Sequence, residues 1–422
     1  MMRRIQFAIL ATVLVVAALS TGADFLFFLL YLGLLVVGGA YLLTRTGLAG
    51  LEAGYVLDRP QAQVGDFLRA VYTVRNTSLL PKVWLEVSNW SQLPIPLPGR
   101  ALALRPRTES SWVARVPLTR RGHYRVDPLV LRTSDPIGLF ETSASVGASS
   151  TIIVYPQVEP LIRWHLPAAT LEGSQANAER SLQTTAMVTS IRPYVPGDAY
   201  NRIHWRSTAR QQELQVKEFD LEQTADVWLF VDLDATFHTG SGDFATIETA
   251  VRATASIGAR ALSENRALGL TAVGRRRAGL PADRGPRQQQ KMLQLLAAVE
   301  PEDAPPLAEV LSEGLPRLRR GMTALVITPS HERDWVRPLT SLRRRGIGVV
   351  VCIVDSVSHE ARSRRALSLP ELSEDEREMR AREVRAVRYA AAEHELKAYL
   401  LLPGIALGDQ LVSAPLAAGA RP

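Results

Sequence analysis

The chain has one cysteine, Cys352, and four lysines, Lys82, Lys217, Lys291 and Lys397. A single cysteine excludes an internal disulfide framework and any multi-cysteine zinc or iron–sulfur centre. None of the lysines stands in a Gly-x-x-x-x-Gly-Lys context, so there is no P-loop, and any ATP-driven work falls to a partner. The seven histidines show no pairing at metal-ligand spacing. A Gly-x-Ser-x-Gly nucleophile elbow, an internal repeat and a heptad array are also missing. The formal charge is only +7, dispersed along the chain. That balance gives no basic footprint for nucleic acid, which is not expected as a partner.

What is present is ordinary for globular protein, with 46% hydrophobic and 22% charged residues. At about 150 residues per domain, 422 residues allow two or three domains. Ile5–Ser20 and Phe25–Leu43 are apolar runs separated by Thr21-Gly22-Ala23-Asp24. Roughly 20 residues cross a bilayer, so residues 1–45 are expected to form a two-helix transmembrane hairpin. Arg3 and Arg4 before the first run and Arg45 after the second place both outer flanks, and the body of the chain, on the cytoplasmic side of the inner membrane. A cleaved signal peptide ending at the small residues Ser20–Ala23 is the alternative for the first run. A lone cysteine suits the reducing cytoplasm.

Residues 46–160 read as a small antiparallel β-sandwich-like domain. Phe67–Arg75 alternates, with Leu68, Ala70, Tyr72 and Val74 on one face, and further short runs come after it between Pro and Gly. Residues 166–190 are poor in large apolar side chains, and 161–190 read as a linker. Residues 191–412 alternate short apolar strands (Val227–Val231, Leu268–Val273, Ala324–Thr328, Ile347–Val354) with helices (Thr246–Leu262, Arg287–Val299, Leu307–Leu318, Trp335–Arg345). That order predicts an α/β domain with a parallel, Rossmann-type sheet and helices on both faces. The charged stretch at 361–390 reads as one exposed helix, and residues 413–422 as a disordered tail.

Two motif groups stand out. Arg120-Arg121-Gly122-His123-Tyr124 precedes Ser134-Asp135-Pro136-Ile137-Gly138-Leu139-Phe140, whose Asp-Pro-x-Gly is turn chemistry and reads as a structural corner. Ser190–Asp198 runs into Ala199–Arg210. Asp198 is expected to cap a helix starting near Ala199. On that helix Arg202, Arg206 and Arg210 share one face, with Ile203 and Trp205 turned into packing. The Arg stripe either receives an acidic partner or pairs internally with Asp198, Glu213 and Glu218.

Together with Val154-Tyr155-Pro156 and the two apolar runs, these segments resemble the Domain of Unknown Function 58 family, from the spans to about residue 350. The resemblance implies a membrane-anchored protein with a β domain and a von Willebrand factor A-like α/β domain. It also implies a MoxR-type AAA+ ATPase as partner and an adaptor or assembly role. Such a domain would carry an Asp-x-Ser-x-Ser metal loop after its first strand, and here that place reads Asp232-Leu233-Asp234-Ala235-Thr236. Carboxylate, hydroxyl and water can hold Mg²⁺. The later strand ends Ile327-Thr328-Pro329-Ser330 without an Asp, and 302–315 offers no Thr, so the expected cofactor is Mg²⁺ at a degraded site or none.

Three functions are expected from these features. The first is a non-enzymatic, membrane-tethered interaction protein presenting Asp232, Asp234, Thr236 and the Arg stripe. The second is a metal-dependent hydrolase or transferase built on Asp232 and Asp234, and the third a structural envelope component. Asp-x-Asp alone is too short a motif to carry nucleotide-sugar chemistry.

Overall fold

The computed structural model describes residues 2–166, 188–196, 198, 200, 203–219, 226–274 and 277–412. It divides into two compact units, the first ending at Gln157 and the second starting at Val158. The expected tail at 413–422, Arg202 and most of the expected linker (167–187) lie outside the described residues.

The first unit opens with helices α1 (Met2–Thr21) and α2 (Asp24–Gly47), which pack on one another across the turn at Gly22. Among the described residues one helix, α2, is long and apolar enough to cross a membrane, judged by length and composition. One span of the expected pair is thus supported, and the second is not shown.

Ten strands come next: β1 (Leu51–Leu57), β2 (Gln61–Gln63), β3 (Phe67–Asn76), β4 (Lys82–Ser88), β5 (Arg100–Leu104), β6 (Glu109–Pro117), β7 (Gly122–Val126), β8 (Leu129–Ser134), β9 (Glu141–Val146) and β10 (Ser150–Tyr155). They form three small sheets, ordered β1-β3-β6, β2-β10-β7 and β5-β4-β8-β9. All pairs are antiparallel except the short β2–β10 pair. The alternation read in β3 is realised: Leu68, Ala70, Tyr72 and Val74 all point into one core with Leu85, Leu131 and Ile152. Burying each large apolar side chain there contributes about 1.5–3 kcal/mol. Trp112 stacks on Tyr72 at 5.2 Å, and the Tyr72 hydroxyl donates to Asn89 Oδ1 at 2.9 Å.

The second unit contains a hairpin, β11 (Val188–Pro193) with β12 (Gln215–Phe219), joined through α3 (Trp205–Gln211). The α/β core comprises β13 (Val227–Asp232), α4 (Thr246–Ser263), β14 (Leu268–Val273), β15 (Arg277–Asp283), α5 (Pro286–Ala298), α6 (Leu307–Gly314), β16 (Thr323–Thr328), α7 (Val336–Arg344), β17 (Gly348–Val354), α8 (Ser356–Ala366), α9 (Glu374–Glu393), β18 (Lys397–Leu401) and α10 (Leu407–Val412). Its six strands are ordered β15-β14-β13-β16-β17-β18, all parallel except the edge strand β15. β13, β16 and β17 are almost wholly buried, as apolar runs covered on both faces must be.

One face packs under α4, α5 and α10, through Val227, Leu229, Ile257, Met292 and Leu411. The other packs under α6, α7 and α9, through Trp228, Phe230, Leu311, Leu339 and Val387. Leu161, Trp164 and Leu166, expected at the start of a linker, are buried in the first of these cores. The charged 361–390 stretch is two helices, α8 and α9, and the second buries Val384, Val387 and Ala391.

Candidate functional site

The strand order reverses beside β13, with β14 on one side and β16 on the other. In open α/β sheets, the carboxyl ends of strands at such a reversal form the usual ligand crevice. Asp232 ends β13 and Thr328 ends β16, so the topology brings these two residues together from a sequence separation of 96.

Asp232 is 2% exposed. The Thr328 hydroxyl donates to its Oδ2 at 2.6 Å, and the Asp234 N–H donates to its Oδ1 at 3.0 Å. Thr328 Oγ1 in turn accepts from the Ser330 N–H at 2.9 Å, tying the loop after β16 to the loop after β13. Burial pushes the Asp232 carboxyl up to about 6 from its ordinary 3.8, against the lowering effect of these two donors. The neighbouring Asp234 and Glu332 carboxylates push it the same way.

The rest of the loop is shaped by its own polar groups. Asp234 Oδ1 accepts from the Thr236 N–H at 2.9 Å, an Asx turn. The loop is stitched to residue 302 by the Ala235 N–H to the Glu302 carbonyl and the Glu302 N–H to the Leu233 carbonyl, both 2.9 Å. His238 Nε2 donates to the Asp232 carbonyl at 3.0 Å, and its Nδ1 lies 2.9 Å from Thr246 Oγ1 at the start of α4. The adjacent His359 is fully buried, 2.9 Å from Thr249 Oγ1, and burial chiefly lowers its pKa. Cys352 lies inside β17 with its thiol pushed up to about 12 by burial, an inert core residue.

The expected metal ligands therefore meet the structure unevenly. Asp232 is in the interior and is not presented to a partner, because it ends a strand covered on both faces. Asp234 is half-buried and Thr236 is exposed. Both Asp232 oxygens and one Asp234 oxygen already hold donors, and the place of a second carboxylate on β16 is filled by the Thr328 hydroxyl. That donor set does not suit a hard octahedral cation. Among the described residues no three His, Cys, Asp or Glu side chains cluster at metal-binding range. Sequence reasoning missed Thr328: an Asp is the residue expected at the end of β16, and no signal marks a threonine that serves the opposite strand.

The arginine stripe is partly described. Arg206 and Arg210 lie on α3 and are exposed. The helix begins at Trp205 with His204, not Asp198, as its cap: His204 Nδ1 accepts from the Ser207 N–H at 3.2 Å. Asp198 instead forms a bidentate pair with Arg192, both contacts 2.8 Å, and accepts from the Val195 N–H. Ile203 is buried as expected, in a bridge to Val216 ahead of the helix, but Trp205, the first residue of the helix, is 67% exposed. Tyr200, Trp205 and Val195 thus stand exposed on the same hairpin as Arg206 and Arg210.

Relatives share the sequence over different lengths. The Bacillus subtilis (strain 168) "Uncharacterized protein YeaD" is 26% identical over 321 residues, 73% of this chain and 78% of that protein. An uncharacterized protein of Mycobacterium tuberculosis H37Rv is 28% identical over 169 residues, 39% of this chain and about half (53%) of its own length. Among solved structures, the CARDB domain of a Pyrococcus furiosus protein aligns with a TM-score of 0.20 and 15% identity, covering 25% of this chain and 91% of that domain. So low a score carries no argument about the fold. Residues 190–398, from the hairpin to the last strand of the sheet, match the model of "Protein of unknown function DUF58", and this region belongs to that family.

Proposed function

We propose that the chain is a membrane-anchored protein-interaction module whose second unit is a von Willebrand factor A-like domain facing the cytoplasm. Its partner is a MoxR-type AAA+ ATPase, and it acts as an adaptor in assembly or maturation of other proteins. The sheet order with one antiparallel edge strand supports the domain reading, as does an acidic loop at the strand reversal. The length and apolarity of α2 support the anchor. Arg45 in its last turn supports the cytoplasmic side for the remainder of the chain.

The observation that carries the reading is the Asp232–Thr328 contact. A catalytic carboxylate must face its substrate, whereas this one is buried and engaged at both oxygens, holding two loops in one shape. The surface then left for function is Thr236 and the exposed Trp205, Arg206 and Arg210. Aromatic and arginine side chains of this kind anchor protein interfaces, and the two guanidinium groups favour an acidic face.

Mixing the detergent-solubilised full chain with the purified ATPase, with and without nucleotide, tests this. Binding is expected, and Arg206→Glu/Arg210→Glu should weaken it about tenfold, about 1.4 kcal/mol. Equal binding by the double variant, or none by the wild type, contradicts it.

A second reading, a divalent-metal enzyme, draws on one observation: a buried carboxyl raised to about 6 in a strand-end crevice is the kind of perturbation functional sites show. It requires Mg²⁺ or Mn²⁺ to displace the Thr328 hydroxyl. Calorimetry on wild type and Asp232→Ala decides it, since divalent heat lost in the variant supports the enzyme and no heat in either removes it.

A further inference from the structure

We infer that the first unit makes a second membrane contact: Leu79-Leu80-Pro81 with Val83 and Trp84 form a lipid-facing collar beside the end of α2, seated in the headgroup region of the bilayer that α2 enters. The inference rests on the reading of α2 as a membrane anchor.

Two sets of hydrogen bonds fix this segment to the helix end. The buried Lys82 ammonium donates to the Thr46 carbonyl at 2.9 Å, in the last turn of the helix, and to the Ala49 carbonyl at 2.8 Å, just beyond it. Thr77 donates to the Gly50 carbonyl through its N–H at 2.8 Å and its hydroxyl at 2.9 Å. The approach is close: a Cβ on Gly47 would meet the Thr133 methyl at 2.7 Å. Further up α2, Tyr41 packs edge-on against Phe140 at 5.5 Å, so the Asp135–Phe140 turn lies along the helix itself. The segment therefore cannot be far from whatever surrounds the last turns of α2.

Its chemistry matches that place. Leu79 is 71% exposed, Val83 65% and Trp84 54%, and Leu80 and Pro81 are exposed as well. Lys82 is the one buried residue among them. A regular strand would hide every second side chain, but the register between β4 and β5 shifts between Lys82 and Leu85, and this leaves both Val83 and Trp84 facing out. A contiguous apolar patch of this kind is costly in water and marks an interaction surface. Tryptophan prefers the bilayer interface, where the ring is dry and the N–H wet. Arg45, Arg105 and Arg107 are exposed nearby, with the Arg107 N–H donating to the Ser78 carbonyl at 3.3 Å. Guanidinium groups at this depth suit anionic headgroups. Continuity with α2 selects lipid as the occupant.

The test uses the full chain in phosphatidylethanolamine–phosphatidylglycerol vesicles, with an environment-sensitive fluorophore on an introduced cysteine. Cys352 is buried and stays unlabelled. Three positions are compared: Leu35→Cys in the middle of α2, Leu80→Cys in the collar, and Val113→Cys. Val113 pairs with Val71, five residues along β3 from Asn76 and so about 16 Å away. All three side chains are exposed, so labelling leaves the cores intact. Lipids spin-labelled near the headgroup end of the acyl chain are expected to quench position 80 strongly and position 113 not at all. Lipids labelled near the chain methyl should quench position 35. Quenching at 35 but not at 80 overturns the collar and leaves the anchor intact, whereas no quenching at 35 overturns the anchor. A blue-shifted fluorophore at 80 without lipid quenching identifies a protein cover and also overturns the proposal.

Discussion

Asp135 in the first unit and Asp232 in the second both lie at strand ends, are both buried, and have their carboxyl pKa values shifted in opposite directions. Burial alone would raise both. Asp135 accepts from the backbone N–H groups of Ile137 at 2.9 Å and Phe140 at 2.5 Å, and such donors, Leu139 included, outweigh burial and hold its carboxyl below the ordinary value. Asp232 has one hydroxyl and one N–H against deeper burial and two neighbouring carboxylates, and it rises to about 6. The balance of burial, donors and neighbouring charge thus decides the direction of the shift: a turn wrapped around Asp135 supplies backbone dipoles, while the crevice at Asp232 leaves the charge under-compensated. The first arrangement builds a corner, and the second leaves a residue sensitive to whatever approaches its loop.

The largest expected effect comes from removing the well-compensated carboxylate. Asp135→Ala leaves the Ile137 and Phe140 N–H groups without their acceptor and should cost about 4 kcal/mol in urea unfolding, with loss of hydrogen-exchange protection in β8 and β9. Next is the pH dependence. The folded Asp232 carboxyl titrates at about 6 and the unfolded one near 3.8. Between these values the native state holds the extra proton, so the stability of the second unit falls as pH rises from about 4 to about 6, by about 3 kcal/mol at most. Asp232→Asn should flatten that slope. For Asp135 the sign reverses: its contribution is present above the unfolded value and is lost as pH falls through its lowered one.

Smaller effects sharpen the contrast. Thr328→Val removes one of Asp232's two donors and the acceptor of the Ser330 N–H. It should cost about 2 kcal/mol and move the Asp232 titration, tracked by carboxyl NMR, further up. Lys82→Met should cost about 1 kcal/mol and speed exchange in the last turn of α2. Arg206→Ala/Arg210→Ala, on an exposed face, should change stability by less than about 0.5 kcal/mol.

Much of the fold is legible in the sequence where periodicity is strong. The alternation of Leu68, Ala70, Tyr72 and Val74, and the apolar runs around Val227, Leu325 and Val350, mark strands because each reports burial directly. β15 escapes notice, since Gly279 and Pro281 read as a break, and so does β18, a short strand after a charged helix. The charged helix α9 hides a buried stripe of Val384, Val387 and Ala391 because its arginines and glutamates dominate the composition. At the site, the acidic loop is legible and its lock is not. The Thr328 hydroxyl acts across 96 residues, and no local spacing records such a contact.

That the chain works by binding at a membrane is best tested by affinity purification of the full chain from detergent-solubilised membranes. Recovery is expected only after detergent is added. An AAA+ ATPase should be retained by the wild type and lost from a folded Arg206→Glu/Arg210→Glu variant. Recovery from the aqueous fraction without detergent, or the same ATPase yield from both proteins, would contradict the membrane-bound adaptor.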